Sequence, residues 1–133
     1  MTRINLVDPQ ELYDQHLVAE YRELFMVGSS LQRSLRSPKW SVDRIPVKFT
    51  LNKGHVSFFY NKGLYLYKRY LALIEEMVKR NMSPDPERTF KREQWPDELF
   101  LDWTPSEEDK EIVRARIAER VSEKPKWYRK TTY

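Results

Sequence analysis

Met1-Thr2-Arg3-Ile4-Asn5-Leu6 runs through Asp8-Pro9 into Asp14-Gln15-His16-Leu17-Val18-Ala19-Glu20-Tyr21-Arg22-Glu23, and that join organises the rest of the chain. Asp8 is suited to cap a helix, Pro9 to open it, and Glu11 to complete a capping box. A helix from Pro9 to Glu23 rises about 21 Å at ~1.5 Å per residue. An extended arm from Thr2 to Pro9 spans about 23 Å at ~3.3 Å per residue. An arm folded back along the helix therefore carries residue 2 to Glu23. Thr2 is small enough that removal of Met1 is expected, which gives Thr2 the free amine. With an ordinary pKa of about 7.7 to 8.0, that amine is partly uncharged at neutral pH, whereas a lysine near ~10.4 is not. On residue chemistry alone, the same start also fits an unstructured terminus.

Helical spacing places His16, Glu20 and Glu23 on one stripe, Gln15 and Arg22 on an adjoining one, and Leu17, Tyr21 and Leu24 roughly opposite. The polar arc is thus separate from the packing face, a pattern that a solvated amphipathic helix shares. With two histidines and no cysteine, the chain cannot assemble a zinc set of His and Cys, while its carboxylates leave magnesium open.

Beyond this helix the chain reads as all-α, a compact single domain over 1–133 of three main helices joined by long irregular loops, with the N-terminal arm packed along the first helix. Leu64, Leu71, Ile74 and Val78 give His55 to Asn81 a helical period that Gly63 interrupts. Phe58, Phe59, Tyr60, Tyr65, Tyr67 and Tyr70 read as core. Ser83 to Pro105, rich in proline and charge, reads as a long loop pinned by Phe90, Trp95, Phe100 and Trp103. A last helix is predicted from a cap at Thr104, with Pro105 and Glu107 completing a second capping box, and it stops before Pro125. Val113, Ile117 and Val121 form its packing stripe, with Arg116 and Arg120 beside it and Glu119 and Glu123 placed to pair with them.

The chain's 24 Lys and Arg exceed its 20 Asp and Glu by a formal +4, a mild excess shared by many proteins that bind no nucleic acid. Distribution says more. Lys124 to Tyr133 holds four basic residues and three aromatics without an acid, a mixture that can grip a phosphate backbone and stack on bases. The same segment also reads as a solvated tail anchored by Trp127. No stretch of about 18 apolar residues is present, so no membrane-spanning segment or membrane partner is expected. Nor does the start carry a secretory pattern, and the expected location is cytoplasmic.

Several segments at consistent offsets resemble one family: Met1 to Leu6, Asp14 to Leu17, Ala19 to Leu24, Gly54 to Tyr60 with Lys62, Leu73-Ile74 with Glu76, Lys79-Arg80, Arg116, and Trp127-Tyr128. They are similar to the pyrimidine-dimer DNA glycosylase/AP lyases, UV endonucleases of the phage endonuclease V type, over nearly the whole chain. The resemblance implies that the amine of Thr2 attacks C1′ of the damaged nucleotide to give an imine, while Glu23 stabilises the cationic sugar and assists proton transfer. β-Elimination then nicks the strand, with no metal or cofactor. It implies that the base opposite the dimer leaves the helix. It also places Arg3, Gln15, His16, Arg22, Arg116 and Arg120, the last where relatives can carry lysine, near the active site and double-stranded damaged DNA. With the tail residues Trp127, Tyr128, Arg129 and Lys130 these are the expected DNA contacts, made by a monomer that joins the nucleoid when bound.

Those residue types suit that chemistry. Breaking an N-glycosidic bond develops positive charge at C1′, which a carboxylate held close stabilises; an amine then traps the carbon and serves as electron sink. Arginine forks suit flanking phosphates. The chain departs from the family at Met26, where a phage member carries a phosphate-contacting arginine, at Phe25, which replaces proline, and over Ser34 to Pro46. An enzyme for abasic sites or another lesion, and a non-catalytic nucleic-acid-binding protein of the same fold, therefore stay open at this point.

Overall fold

The computed structural model describes residues 3–133. They contain five α-helices and no β-strand: α1 (Asp14–Glu23), α2 (Phe25–Arg36), α3 (His55–Phe58), α4 (Gly63–Lys79) and α5 (Glu107–Glu123), linked by short 3₁₀ turns. α1, α4 and α5 are the three main helices expected; α2 continues the first after the single residue Leu24. None of the described helices is long and apolar enough to cross a membrane.

The first helix starts later than its capping box predicts. Asp8 does accept a hydrogen bond from the Gln10 amide (2.9 Å), but what it caps is one 3₁₀ turn, Pro9–Glu11. Arg80 explains the interruption. Its Nη2 donates to the carbonyls of Pro9 (3.1 Å) and Gln10 (3.3 Å), the acceptors a continuing helix would use. Leu12 and Tyr13 then run extended, and Leu12 is fully buried. The last helix also starts late: Ser106, not Thr104, is the cap, accepting from the Asp109 amide at 3.0 Å. Glu107, Glu108 and Asp109 fill its first turn, where the helix dipole favours acids.

α1 packs on α4 and on α2, and α2 on α3. Leu17, Tyr21, Leu24, Leu31, Phe59, Leu66 and Leu73 form the centre of the core. Phe58, Phe59, Tyr60 and Tyr70 are buried as predicted, whereas Tyr67 is exposed on the outer face of α4. Gly63 opens α4 because Trp95 lies against it: a β-carbon there would meet the indole ring at 2.7 Å. The 83–105 segment is thereby locked to the body through Trp95, with Phe90, Phe100 and Trp103 beside it in the core cluster.

The arm packs along α1, as expected, with Ile4, Asn5, Leu6 and Val7 buried. Its backbone is satisfied by side chains from three helices. The Ile4 amide donates to His55 Nε2 (2.9 Å), and Asn5 donates to Glu20 Oε1 through its backbone amide (3.2 Å) and Nδ2 (2.9 Å). Arg69 donates to the Val7 carbonyl and grips Glu20 with Nε to Oε2 at 2.6 Å and Nη2 to Oε1 at 2.9 Å. Leu6 takes a left-handed conformation (φ +59°) between them, where the Val7 amide closes a tight turn onto the Asn5 carbonyl.

Candidate active site

Where the described arm ends, at Arg3, a cleft of about 260 Å³ opens between α1, α5 and the C-terminal tail. α1 contributes His16 and Glu23, α5 contributes Arg116 and Arg120 from successive turns, and the tail contributes Tyr128. Six of the predicted site residues thus meet in one place. Thr2, the expected nucleophile, lies outside the described residues.

Charge is unevenly distributed over this cleft. Glu20 reaches its floor but is held by Arg69 and Asn5, which leaves Glu23 as the lining carboxylate without a buried ion-pair partner. Around it stand three guanidinium groups. Burial lowers the Arg3 pKa below the ordinary guanidinium range, and Arg116 and Arg120 lower it further against the opposing pull of Glu23. Three guanidinium groups against two carboxylates give the cleft an excess of positive charge. A weak 3.8 Å contact with Glu123 at the rim of α5 is the one ion pair formed by Arg120 among the described residues, and both groups are about half exposed.

His16 is set differently. Its ring stacks on Tyr128 at 4.8 Å, within 7° of parallel, and Tyr13 meets both rings edge-on. Burial first, then Arg116, pushes its pKa below the ordinary 6.5, which favours a neutral imidazole. Nδ1 is buried without a hydrogen-bond partner among the described residues.

The tail is not anchored by Trp127, contrary to the second reading of that segment: the indole is 56% exposed. The first turn of α1 holds the tail by its backbone instead. The Asp14 amide donates to the Arg129 carbonyl (2.6 Å), Gln15 Nε2 donates to the Trp127 carbonyl (2.6 Å), and Gln15 Oε1 accepts from the Arg129 amide (3.0 Å). Thr131 donates to both carboxylate oxygens of Asp14. Although burial opposes it, these bonds and Arg80 hold the Asp14 carboxyl below its usual range. Gln15 is therefore engaged with the tail in this state, while Arg129 and Lys130 are exposed, the latter with Nζ 5.0 Å from the centre of the Tyr13 ring. Arg22 stands outside the cleft, on an adjoining hollow of about 440 Å³ that it shares with Val18, Ala19 and Trp127.

Sequence patterns did not reveal Arg69, Arg80, Asn5 or His55. For two of them a signal was available. Arg69 and Arg80 fall on the same helical stripe as Leu66, Leu73 and Met77, so charges recur on an apolar face where only buried carboxylates can receive them. A larger hollow of about 350 Å³, lined by Phe25, Ser29, Arg88 and others, has mixed charge. Among the described residues no group of three or more His, Asp or Glu is close enough to hold a metal ion.

An all-helical body with a cation-rimmed cleft around one carboxylate defines a protein built to hold an anionic substrate against an acid. The family model for pyrimidine dimer DNA glycosylase matches residues 1–90, about two thirds of the sequence, and the chain belongs to that family. Membership makes it a DNA glycosylase of DNA repair, acting on damaged DNA. Arg116, Arg120 and Tyr128 lie beyond the matched residues, yet they line the same cleft as Arg3 and Glu23.

Proposed function

We propose that this cleft excises a cyclobutane pyrimidine dimer's base through an imine and then nicks the abasic site. The amine of Thr2 attacks C1′ while the C1′–N bond breaks and the base leaves with a proton. Loss of the ring oxygen's bond to C1′ gives a protonated imine. Removal of a C2′ proton then expels the 3′ phosphate by breaking the C3′–O bond, and water releases the amine. Glu23 stabilises positive charge at C1′ and moves these protons, and Arg3, Arg116 and Arg120 hold the flanking phosphates.

One observation carries this reading: the described arm ends at Arg3 in the cleft that Glu23 lines. His16, Arg22, Gln15 and the tail residues Trp127, Tyr128, Arg129 and Lys130 extend the contact along DNA. Because arm, α1, α5 and tail of one chain complete the cleft, we take residues 1–133 to work as one domain and as a monomer, in the cytoplasm on nucleoid DNA. Borohydride added during turnover of a dimer-containing duplex should leave a covalent adduct on residue 2. An adduct elsewhere, or none, refutes the mechanism and leaves a different chemistry or a binding role.

Met26 favours a second reading, since it is 55% exposed and puts a neutral group on the outer surface at the start of α2. Under it the amine chemistry is kept and abasic sites or another lesion are preferred. Parallel rates on dimer and abasic duplexes decide, and a strong preference for the dimer ends this alternative.

A further inference from the structure

We propose that His55 is a positioning residue for catalysis: its imidazole latches the N-terminal arm at Ile4, and so sets where the amine-bearing end of the chain stands. The inference rests on the amine mechanism above and concerns a residue remote from the reacting atoms.

His55 is 2% exposed and has a partner for each ring nitrogen. Nδ1 lies 2.8 Å from the Thr50 carbonyl, an acceptor only, so Nδ1 carries the proton; Nε2 then has the lone pair that receives the Ile4 amide at 2.9 Å. The edges of Phe49 and Phe59 confine the ring, with centroids at 5.5 and 5.4 Å. Gly54, at φ +96°, turns the chain immediately before α3 and points His55 inward. The Ile4 bond falls on the arm's backbone two residues from Thr2, whereas those made by Glu20 and Arg69 fall on Asn5 and Val7. Losing it removes the backbone anchor at Ile4 and leaves the clamp on Asn5 and Val7 intact. A misplacement of about 1 Å at a reacting group can cost ~100-fold in rate, so the latch acts on turnover and not on DNA affinity.

Only neutral imidazole can hold the arm, because a proton on Nε2 would face the Ile4 amide donor. The charged groups facing the ring are Arg3 from the arm, Glu20 from α1 and Arg116 from α5, with the Thr50 carbonyl opposite. Burial is the largest influence and favours the neutral form; the two arginines add to it, and Glu20 and Thr50 oppose it.

Two experiments test this. In ¹⁵N-labelled enzyme a scalar coupling across the hydrogen bond should link the Ile4 nitrogen to His55 Nε2, with the proton on Nδ1; an absent coupling or the opposite tautomer overturns the latch without reference to chemistry. In His55→Phe, borohydride trapping and kcat should fall 10- to 100-fold while KM and duplex affinity stay within about threefold. His55→Gln, which can restore an acceptor, should recover part of the rate. A folded His55→Phe enzyme that traps at the wild-type rate overturns the inference and leaves the amine mechanism standing. Absence of trapping in wild-type enzyme sinks that mechanism instead, and with it the catalytic role assigned here. If His55→Phe does not fold, the NMR measurement and His55→Gln decide.

Discussion

Replacing Arg69 by methionine removes the group that ties arm, α1 and α4 together. Its guanidinium makes two hydrogen bonds to Glu20 and one to the Val7 carbonyl, and both side chains of the pair are essentially inaccessible, at 5% and 0%. In Arg69→Met the Glu20 carboxylate stays buried with only the two Asn5 donors. Breaking one side of a buried ion pair costs about 3–5 kcal/mol, because a charge is left without compensation. For a chain of this size each kcal/mol moves the melting temperature by about 3–5 °C, so a drop of roughly 10–20 °C is expected by calorimetry or circular dichroism. Arg69→Lys keeps the charge without the fork and should fall between. In the double variant Glu20→Leu, Arg69→Met no unpaired charge remains, and part of the loss should return. An Arg69→Met protein melting within about 3 °C of wild type would refute the claim that this pair fastens the arm.

Glu23→Gln should lower the glycosylase rate by about 10²–10³ while duplex affinity and melting temperature hold, and retention of the rate would remove the carboxylate from the chemistry. Arg116→Ala and Arg120→Ala should each reduce the slope of log affinity against log salt by about one if each arginine neutralises a phosphate, and unchanged slopes would place them off the backbone. Trp127→Ala should weaken binding by about 1–3 kcal/mol if the indole stacks on a base, with stability moving by less than ~0.5 kcal/mol because the side chain is exposed. Acid should destabilise the protein through His55. With its folded pKa below the ordinary 6.5, the unfolded chain takes up the proton first, so its contribution is complete above about pH 6.5 and is lost as pH falls toward the folded value. The slope from this one group reaches at most about 1.4 kcal/mol per pH unit, and His55→Gln should remove it while leaving the part that His16 contributes in the same direction.

The fold was legible where one residue type has one use. Leu17, Tyr21 and Leu24 on one face of α1, the break before Gly63, and the aromatics pinning 83–105 all follow from periodicity and side-chain size. Helix starts were less legible, because a cap marks a turn without setting how many turns come after it. Asp8 and Thr104 both carry the right neighbours, but Arg80 takes the carbonyls after Asp8, and Ser106 offers a cap two residues beyond Thr104. Contacts distant in sequence were least legible. That α5 and the tail meet Arg3 across the molecule depends on Asp14 and Gln15 receiving the tail backbone, and local spacing does not encode that partnership.

Two carboxylates three residues apart on α1 show how environment divides roles that sequence leaves equal. Glu20 and Glu23 share a stripe, and either could stand beside the sugar on spacing alone. Glu20 is 1% exposed and its oxygens are occupied by Arg69 and Asn5, so a reacting atom would have to displace a buried ion pair to reach it. That displacement costs several kcal/mol, about what a well-placed carboxylate contributes to a cationic transition state, and the exchange would gain little. Glu23 lies one turn further, half-buried on the cleft wall with Arg3, Arg116 and Arg120. The buried pair thus fixes the arm, and the half-buried acid is the one left for the role proposed for it at the sugar.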